Sequence, residues 1–433
     1  MISSFPLLVL AYVICLPWDY DNNYVFAFQK VGPSPRRKLT LVYRSSSLSP
    51  ISLNSSSSSS LEEEESYDYD IGICSIDGVD YKRPSKVNQD AYFQTSSCGG
   101  SKYVLCCGIF DGHGKHGHDV TKFMSQNLPE IIQQQLVKNR SCDDEDDAII
   151  EFEKLMERLV PPSPSTSWNR HDDEFPNDGR TEYDRLHKDI HKALVNSFHS
   201  IHYTTMQDPS IKSGRSGSTC IVFLIENADK EEEDEGSGGR FLHVASVGDS
   251  RAILITTKDC GNEGDDTVNV RPLTVETTVN KMPMERERVE LCEGTIRGRN
   301  VFYGPVGIAM TRALGDSVML RAGVIPTPIV DTYYLKSSAK QHDESTIIIL
   351  ATDGVWDVLS NEQVADIVLA AASKKGNSDR AEIQDDNQDF VQVAANGIAD
   401  AAKQRWLRSD LPINDEPVMD DTTVMVIRQA KHC

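Results

Sequence analysis

Residues Tyr103 to His118 read YVLCCGIFDGHGKHGH. The opening run of Val, Leu, Cys, Ile and Phe is long enough for a buried strand, and it stops at Asp111 among glycines at 112, 114 and 117. Three readings compete. An Asp-Gly pair after a strand is ordinary turn chemistry. Gly112, Gly114 and Gly117 also match G-x-G-x-x-G between a strand and a helix expected over 119–135, although Asp111 would then set negative charge beside a pyrophosphate. The third reading is a cation site. Carboxylate and backbone carbonyl are both oxygen donors, which hard divalent ions such as Mg²⁺ prefer, and glycines let backbone come close.

More acids stand at strand ends elsewhere in the chain. STIIIL at 345–350 runs into Ala351-Thr352-Asp353-Gly354. Asp420 and Asp421 precede the β-branched run 422–427, and Asn88-Gln89-Asp90 leads into Ala91-Tyr92-Phe93. Each alone reads as a turn. Together they converge only if their strands are neighbours in one sheet system.

At this point the chain resembles the metal-dependent protein serine/threonine phosphatases of the type 2C family. The resemblance rests on blocks that fall in the family's order. They are KVNQDAY (86–92), GIFDGHG (108–114), SGSTC (216–220), VASVGDSRAIL (244–254), LTVE (273–276), GIAMTRALGD (307–316), ILATDGVWDVLSNEQV (349–364) and DDTTVMVI (420–427), covering roughly residues 70 to 430. So many ordered blocks make a specific signal, and the dinucleotide reading falls. The fold implied is α+β, a four-layer αββα sandwich of two antiparallel sheets packed face to face, with helices on the outer faces.

The resemblance also implies roles for individual residues. Asp111 matches the carboxylate that bridges two Mg²⁺ or Mn²⁺ ions, the Gly112 carbonyl a ligand of the second, and Asp353 and Asp420 the remaining carboxylates of the first. Asp90 matches an acid near the second ion that helps hold water, and Asp249 with Asp357 matches a weaker third site. His113 matches the proposed general acid; a local hydrogen bond at a helix start is its duller alternative. An unperturbed imidazole titrates near pH 6.5, which suits that task. Gln89 stands where the family has Glu, so it brings no charge but can still orient a water. The family's phosphate-binding Arg is displaced here, leaving Lys86 or Arg83 for the part, with solvated loop cations as an equally good reading. Arg312 and Asp316 match positions that look architectural, as an ion pair with each other.

Composition bounds the rest. The chain has 433 residues, 39% hydrophobic, enough for a sizeable core. A formal charge of −22 argues against a nucleic-acid partner. The ten cysteines include no C-x-x-C pair, so reduced, buried thiols are expected. Residues 1–66 read as a presequence and linker: an apolar run at 5–16, then a basic and Ser-rich stretch. That resembles a bipartite plastid-targeting segment, although Asp19 and Asp21 fit it poorly; a single-pass anchor and a misassigned start codon are its rivals, and a cytosolic or nuclear site is the family default. Residues 67–430 read as a single catalytic domain, interrupted by acidic inserts at about 141–182 and 227–239. Residues 294–310 are expected to form much of a variable flap beside the active site. No stable membrane span is expected, and a monomer is.

The activity implied is hydrolysis of phosphoserine and phosphothreonine in phosphoprotein substrates. The rival from another class is a pseudophosphatase that binds phosphoproteins without turnover. Gln89 and the displaced cation favour it; intact Asp111, Gly112, His113, Asp353 and Asp420 oppose it. A third reading is hydrolysis of small phosphoesters.

Overall fold

The computed structural model describes residues 69–80, 86–96, 98, 103–141, 180–227, 239–258, 267–335, 344–376, 390–408 and 418–429. The presequence, most of both acidic inserts and Arg83 lie outside the described residues.

Two five-stranded sheets carry the fold. In the first the strands run in the order Tyr69–Ile76, Thr422–Gln429, Glu344–Ala351, Arg251–Lys258, Thr267–Pro272. In the second the order is Ile329–Leu335, Arg240–Val247, Cys220–Asn227, Tyr103–Phe110, Ala91–Thr95. Every neighbouring pair in both sheets is antiparallel.

Alternation along single strands shows how the layers stack. In Cys220–Asn227, Val222 and Leu224 pack with Val120, Leu128 and Phe198 of the helices Gly117–Ser141 and Arg180–Gln207. The interleaved Ile221, Phe223 and Ile225 meet Ile348, Leu350, Met425 and Ile427 of the first sheet. In Glu344–Ala351, Ile347 and Ile349 turn the other way, towards the helices Asn361–Gly376 and Phe390–Arg408. Successive side chains of a strand point to opposite faces, so a strand covered on both sides must be apolar throughout. That is why the central strands read as unbroken apolar runs: each fully buried Ile or Phe contributes about 1.5–3 kcal/mol.

The sequence reading did not anticipate the helix Phe390–Arg408. Its buried face is Val391, Ala394, Ala395, Ile398, Ala399 and Ala402. Small side chains let it lie close on the first sheet. A Cβ at Gly72 would come 2.2 Å from the Val391 carbonyl carbon, so only glycine fits that strand position.

A smaller module sits beside the sandwich. The helix Pro283–Leu291 and the strands Thr295–Arg297, Asn300–Tyr303 and Val306–Ile308 enclose Val279, Val289, Val301 and Met319. Glu285 is its buried hub: Arg288 Nη2 lies 2.5 Å from Oε2, Arg312 Nη2 lies 2.7 Å from Oε1, and Thr311 Oγ1 donates to Oε2 at 2.7 Å. The expected Arg312–Asp316 pair is therefore corrected. Arg312 gives both Nε and Nη2 to Glu285 Oε1, a buried carboxylate oxygen that satisfies two of its donors at once.

Candidate active site

At one end of the sandwich the chain gathers acids from five separate stretches. Asp111 sits between Tyr103–Phe110 and the short strand Gly112–Gly114, a strand that none of the three sequence readings predicts. Its backbone is pinned by the 216–220 block. Asp111 N donates to Thr219 Oγ1 at 3.2 Å, and Thr219 N donates to the Asp111 carbonyl at 2.9 Å. Gly112 allows close approach, since a Cβ there would stand 2.4 Å from the Gln89 carbonyl. Asp353 opens the short helix Asp353–Trp356 just beyond Glu344–Ala351. Asp249 lies in the turn after Arg240–Val247, where Gly248 adopts φ +95°.

Asp90 is tied across the first sheet. Thr352 Oγ1 donates to Asp90 Oδ2 at 2.9 Å and accepts from Thr423 N at 2.9 Å. Asp90, Asp111, Asp249 and Asp353 are half-buried, whereas Asp357 and Asp420 are exposed at the rim. The result is an acidic bowl.

Electrostatics confirm that these groups feel one another. Burial raises Asp111 well above the usual carboxylate range, and the carboxylates of Asp353, Asp90, Asp249 and Asp420 push it further. Asp353 is raised by burial and by Asp249, Asp420 and Asp357. Burial lifts Asp90 to about 7 against the hydrogen bonds from Thr423 and Thr352. Asp249 is also raised by burial, with His113 opposing. Like charges held together in a half-buried bowl are unfavourable by themselves and mark a site built for something positive.

The donor set fits a hard divalent cation. Every candidate donor is oxygen, and the buried Asp90 Oδ1 and Asp249 Oδ1 take no hydrogen bond. As the side chains stand, no group of three or more His, Cys, Asp or Glu among the described residues is arranged to hold a metal ion.

The remaining expected residues fall as follows. Lys86 does not present a free ammonium: Nζ lies 2.9 Å from Asp420 Oδ1 and 3.3 Å from Asp421 Oδ1. Gln89 Nε2 donates to the Gly114 carbonyl at 2.9 Å, so its amide serves the 112–114 strand. His113 Nε2 meets Asp316 Oδ2 at 2.5 Å. Burial would depress the His113 imidazole, but Asp316, with Asp249 and Asp353 behind it, outweighs burial and raises it. Sequence reading missed Thr219, Thr352 and the Asp316 contact. SGST and ATDG carried the signal for the two threonines; nothing local carried it for Asp316.

The family model of Protein phosphatase 2C matches residues 170–405, more than half of the chain. The chain belongs to the protein phosphatase 2C family. That stretch holds Asp249, Asp353 and Asp357, while Asp90, Asp111 and Asp420 lie outside it. Probable protein phosphatase 2C 1 of Arabidopsis thaliana is 30% identical over 298 residues, covering 66% of this chain and 56% of that protein. Probable protein phosphatase 2C 75 of Oryza sativa subsp. japonica is 27% identical over 335 residues, 74% of this chain and 65% of that protein. This 2C chain therefore spans less than two thirds of the length of those relatives. Among solved structures, a serine-threonine phosphatase 2C from Toxoplasma gondii superposes with a TM-score of 0.51 at 18% identity, covering 83% of this chain and 94% of its own. That likeness supports the αββα sandwich.

Proposed function

We propose that this 2C-family chain is an active protein serine/threonine phosphatase, with residues 67–430 as one catalytic domain. The observation that carries this is the acidic bowl, in which separate strand ends hold mutually repelling carboxylates in one place. Asp111, Asp353 and Asp420 would hold one Mg²⁺ or Mn²⁺ ion, Asp111 with the Gly112 carbonyl a second near which Asp90 would help hold water, and Asp249 with Asp357 a weaker third. When bound, such ions lower the pKa of water and offset charge on phosphoryl oxygens.

The chain's own residues do the rest. Thr219 and Thr352 hold Asp111 and Asp90 in fixed orientations. His113 gives a proton to the departing serine or threonine oxygen. Lys86 offsets charge beside Asp420 and Asp421, and this engagement takes it away from phosphate binding. The substrates would be phosphoproteins, met by a monomer.

One observation favours a pseudophosphatase instead: Gln89 puts an amide, already given to Gly114, where an acid would help order water. A phosphothreonine peptide offered to the full chain with Mn²⁺, with Mg²⁺ and with EDTA separates the two. Metal-dependent turnover that disappears in Asp353→Asn is expected. Phosphopeptide binding with no turnover at any metal concentration would establish the binding module.

A further inference from the structure

Asp316 is the one non-glycine among the described residues with a positive φ, 47°. A left-handed backbone disfavours an L side chain, and such a conformation persists only where its surroundings impose it. They do so here. Gly315, at φ +81°, donates its N–H to His202 Nδ1 at 3.1 Å. Asp316 N donates to the Ser216 carbonyl at 3.1 Å, and Met319 N to the Asp316 carbonyl at 2.7 Å.

The strand Leu314–Gly315 pairs with Ser216–Ser218, which pairs in turn with Gly112–Gly114. One small sheet thus carries both Asp316 and His113. Between them lies Gly217, where a Cβ would stand 2.1 Å from Asp316 Oδ2. The carboxylate crosses bare backbone to reach the ring. It is 5% exposed, and His113 is its one ion-pair partner among the described residues.

We propose that Asp316 is a positioning residue for proton donation. It holds the His113 imidazole through Nε2 in one rotamer and one tautomer, so that Nδ1 is the atom that protonates the leaving oxygen. This rests on the reading of His113 as general acid. Nε2 is occupied, and Nδ1 is buried without a hydrogen-bond partner. In the step, the bond from phosphorus to the serine or threonine oxygen breaks and its electron pair stays on that oxygen. The imidazolium's Nδ1 proton moves there, leaving the neutral Nε2–H tautomer that Asp316 holds, and a water oxygen forms the new bond to phosphorus. The proton released by that water later restores the imidazolium, so the products are phosphate and a free hydroxyl.

The test uses the full chain with Mn²⁺ and two substrates. A phosphothreonine peptide releases an alkoxide that needs a proton; p-nitrophenyl phosphate releases a phenolate that leaves without one. Asp316→Asn is expected to lower kcat on the peptide by about 10–100-fold with KM little changed. On p-nitrophenyl phosphate it should lose under about 3-fold, and it should add no further loss to His113→Gln in the double variant. Equal losses on both substrates, or additive losses in the double variant, would overturn the proposal.

Nitrogen-15 shifts of the histidine-labelled full chain, with the His113 signal assigned by its disappearance in His113→Gln, give a second measurement that needs no turnover. A single Nε2–H tautomer is expected, becoming a mixture in Asp316→Asn. A mixture already present in the unsubstituted chain sinks the positioning claim. Absence of turnover in the unsubstituted chain removes the phosphatase reading and the proton-transfer half of the proposal, leaving the tautomer to decide the positioning half.

Discussion

Asp420 leaves 54% of its side chain exposed and meets Lys86 Nζ at 2.9 Å, whereas its neighbour Asp421 leaves 6%. Asp421 Oδ1 accepts from Gly78 N at 2.6 Å and Oδ2 from Gln89 N at 3.0 Å. Those bonds join two segments more than 300 residues away in the chain. Asp421→Ala leaves two N–H groups unpaired and is expected to cost about 3 kcal/mol, lowering the urea midpoint. Asp420→Asn removes one half-exposed pair and should cost under about 1 kcal/mol while abolishing metal-dependent turnover. If the two variants exchange these effects, the assignment between neighbours is wrong. Sequence marked both residues as strand-end acids, and the resemblance chose between them. It misplaced Arg312, because the Glu285 that takes this guanidinium has no motif around it and is visible only through three-dimensional contact.

The helix Arg180–Gln207 covers the second sheet and buries His199 and His202. His199 Nε2 meets Thr327 Oγ1 at 2.9 Å, and His202 Nδ1 takes the Gly315 N–H. Burial depresses His199 to about 4 and, with His199 adding to it, His202 to about 3. An unfolded imidazole titrates near about 6.5, so as pH falls the unfolded chain takes up protons first. The stability these groups contribute is complete above that value and is lost as pH falls towards the folded values, at up to about 1.4 kcal/mol per pH unit for each ring. The raised carboxylates of the acidic bowl act in the opposite direction over the same range, so the histidine contribution is read as a difference: between pH 7 and pH 5 the urea midpoint of the unsubstituted chain should fall relative to that of His202→Gln. Parallel slopes for both proteins would contradict this account. At this scale apolar and β-branched runs located Tyr103–Phe110, Glu344–Ala351 and Thr422–Gln429, and the helix expected over 119–135 lies within Gly117–Ser141. The sequence was least informative for Phe390–Arg408, where alanines rather than large apolar side chains make the buried face, and for Gly112–Gly114, whose strand character comes from its partner at 216–218.

The chain as a whole carries a formal charge of −22, and its candidate site concentrates carboxylates. A ligand that binds the folded form stabilises it by mass action, and a divalent cation here would also relieve repulsion. Adding Mg²⁺ or Mn²⁺ should raise the Tm of the full chain, with no such rise in Asp353→Asn; equal rises would place the binding elsewhere. The register of the first sheet also governs how the molecule is made. Tyr69 pairs with Gln429 and Ile76 with Thr422, and Thr422–Gln429 lies between Tyr69–Ile76 and Glu344–Ala351. A ribosome making this chain delivers Thr422–Gln429, one of the sheet's inner strands, roughly tens of seconds after the edge strand it must hold. During that delay Ile71 and Ile73 lack their partners Ile427 and Met425. Asp420 emerges with the same segment, so no nascent fragment that stops short of it carries the full set of acids.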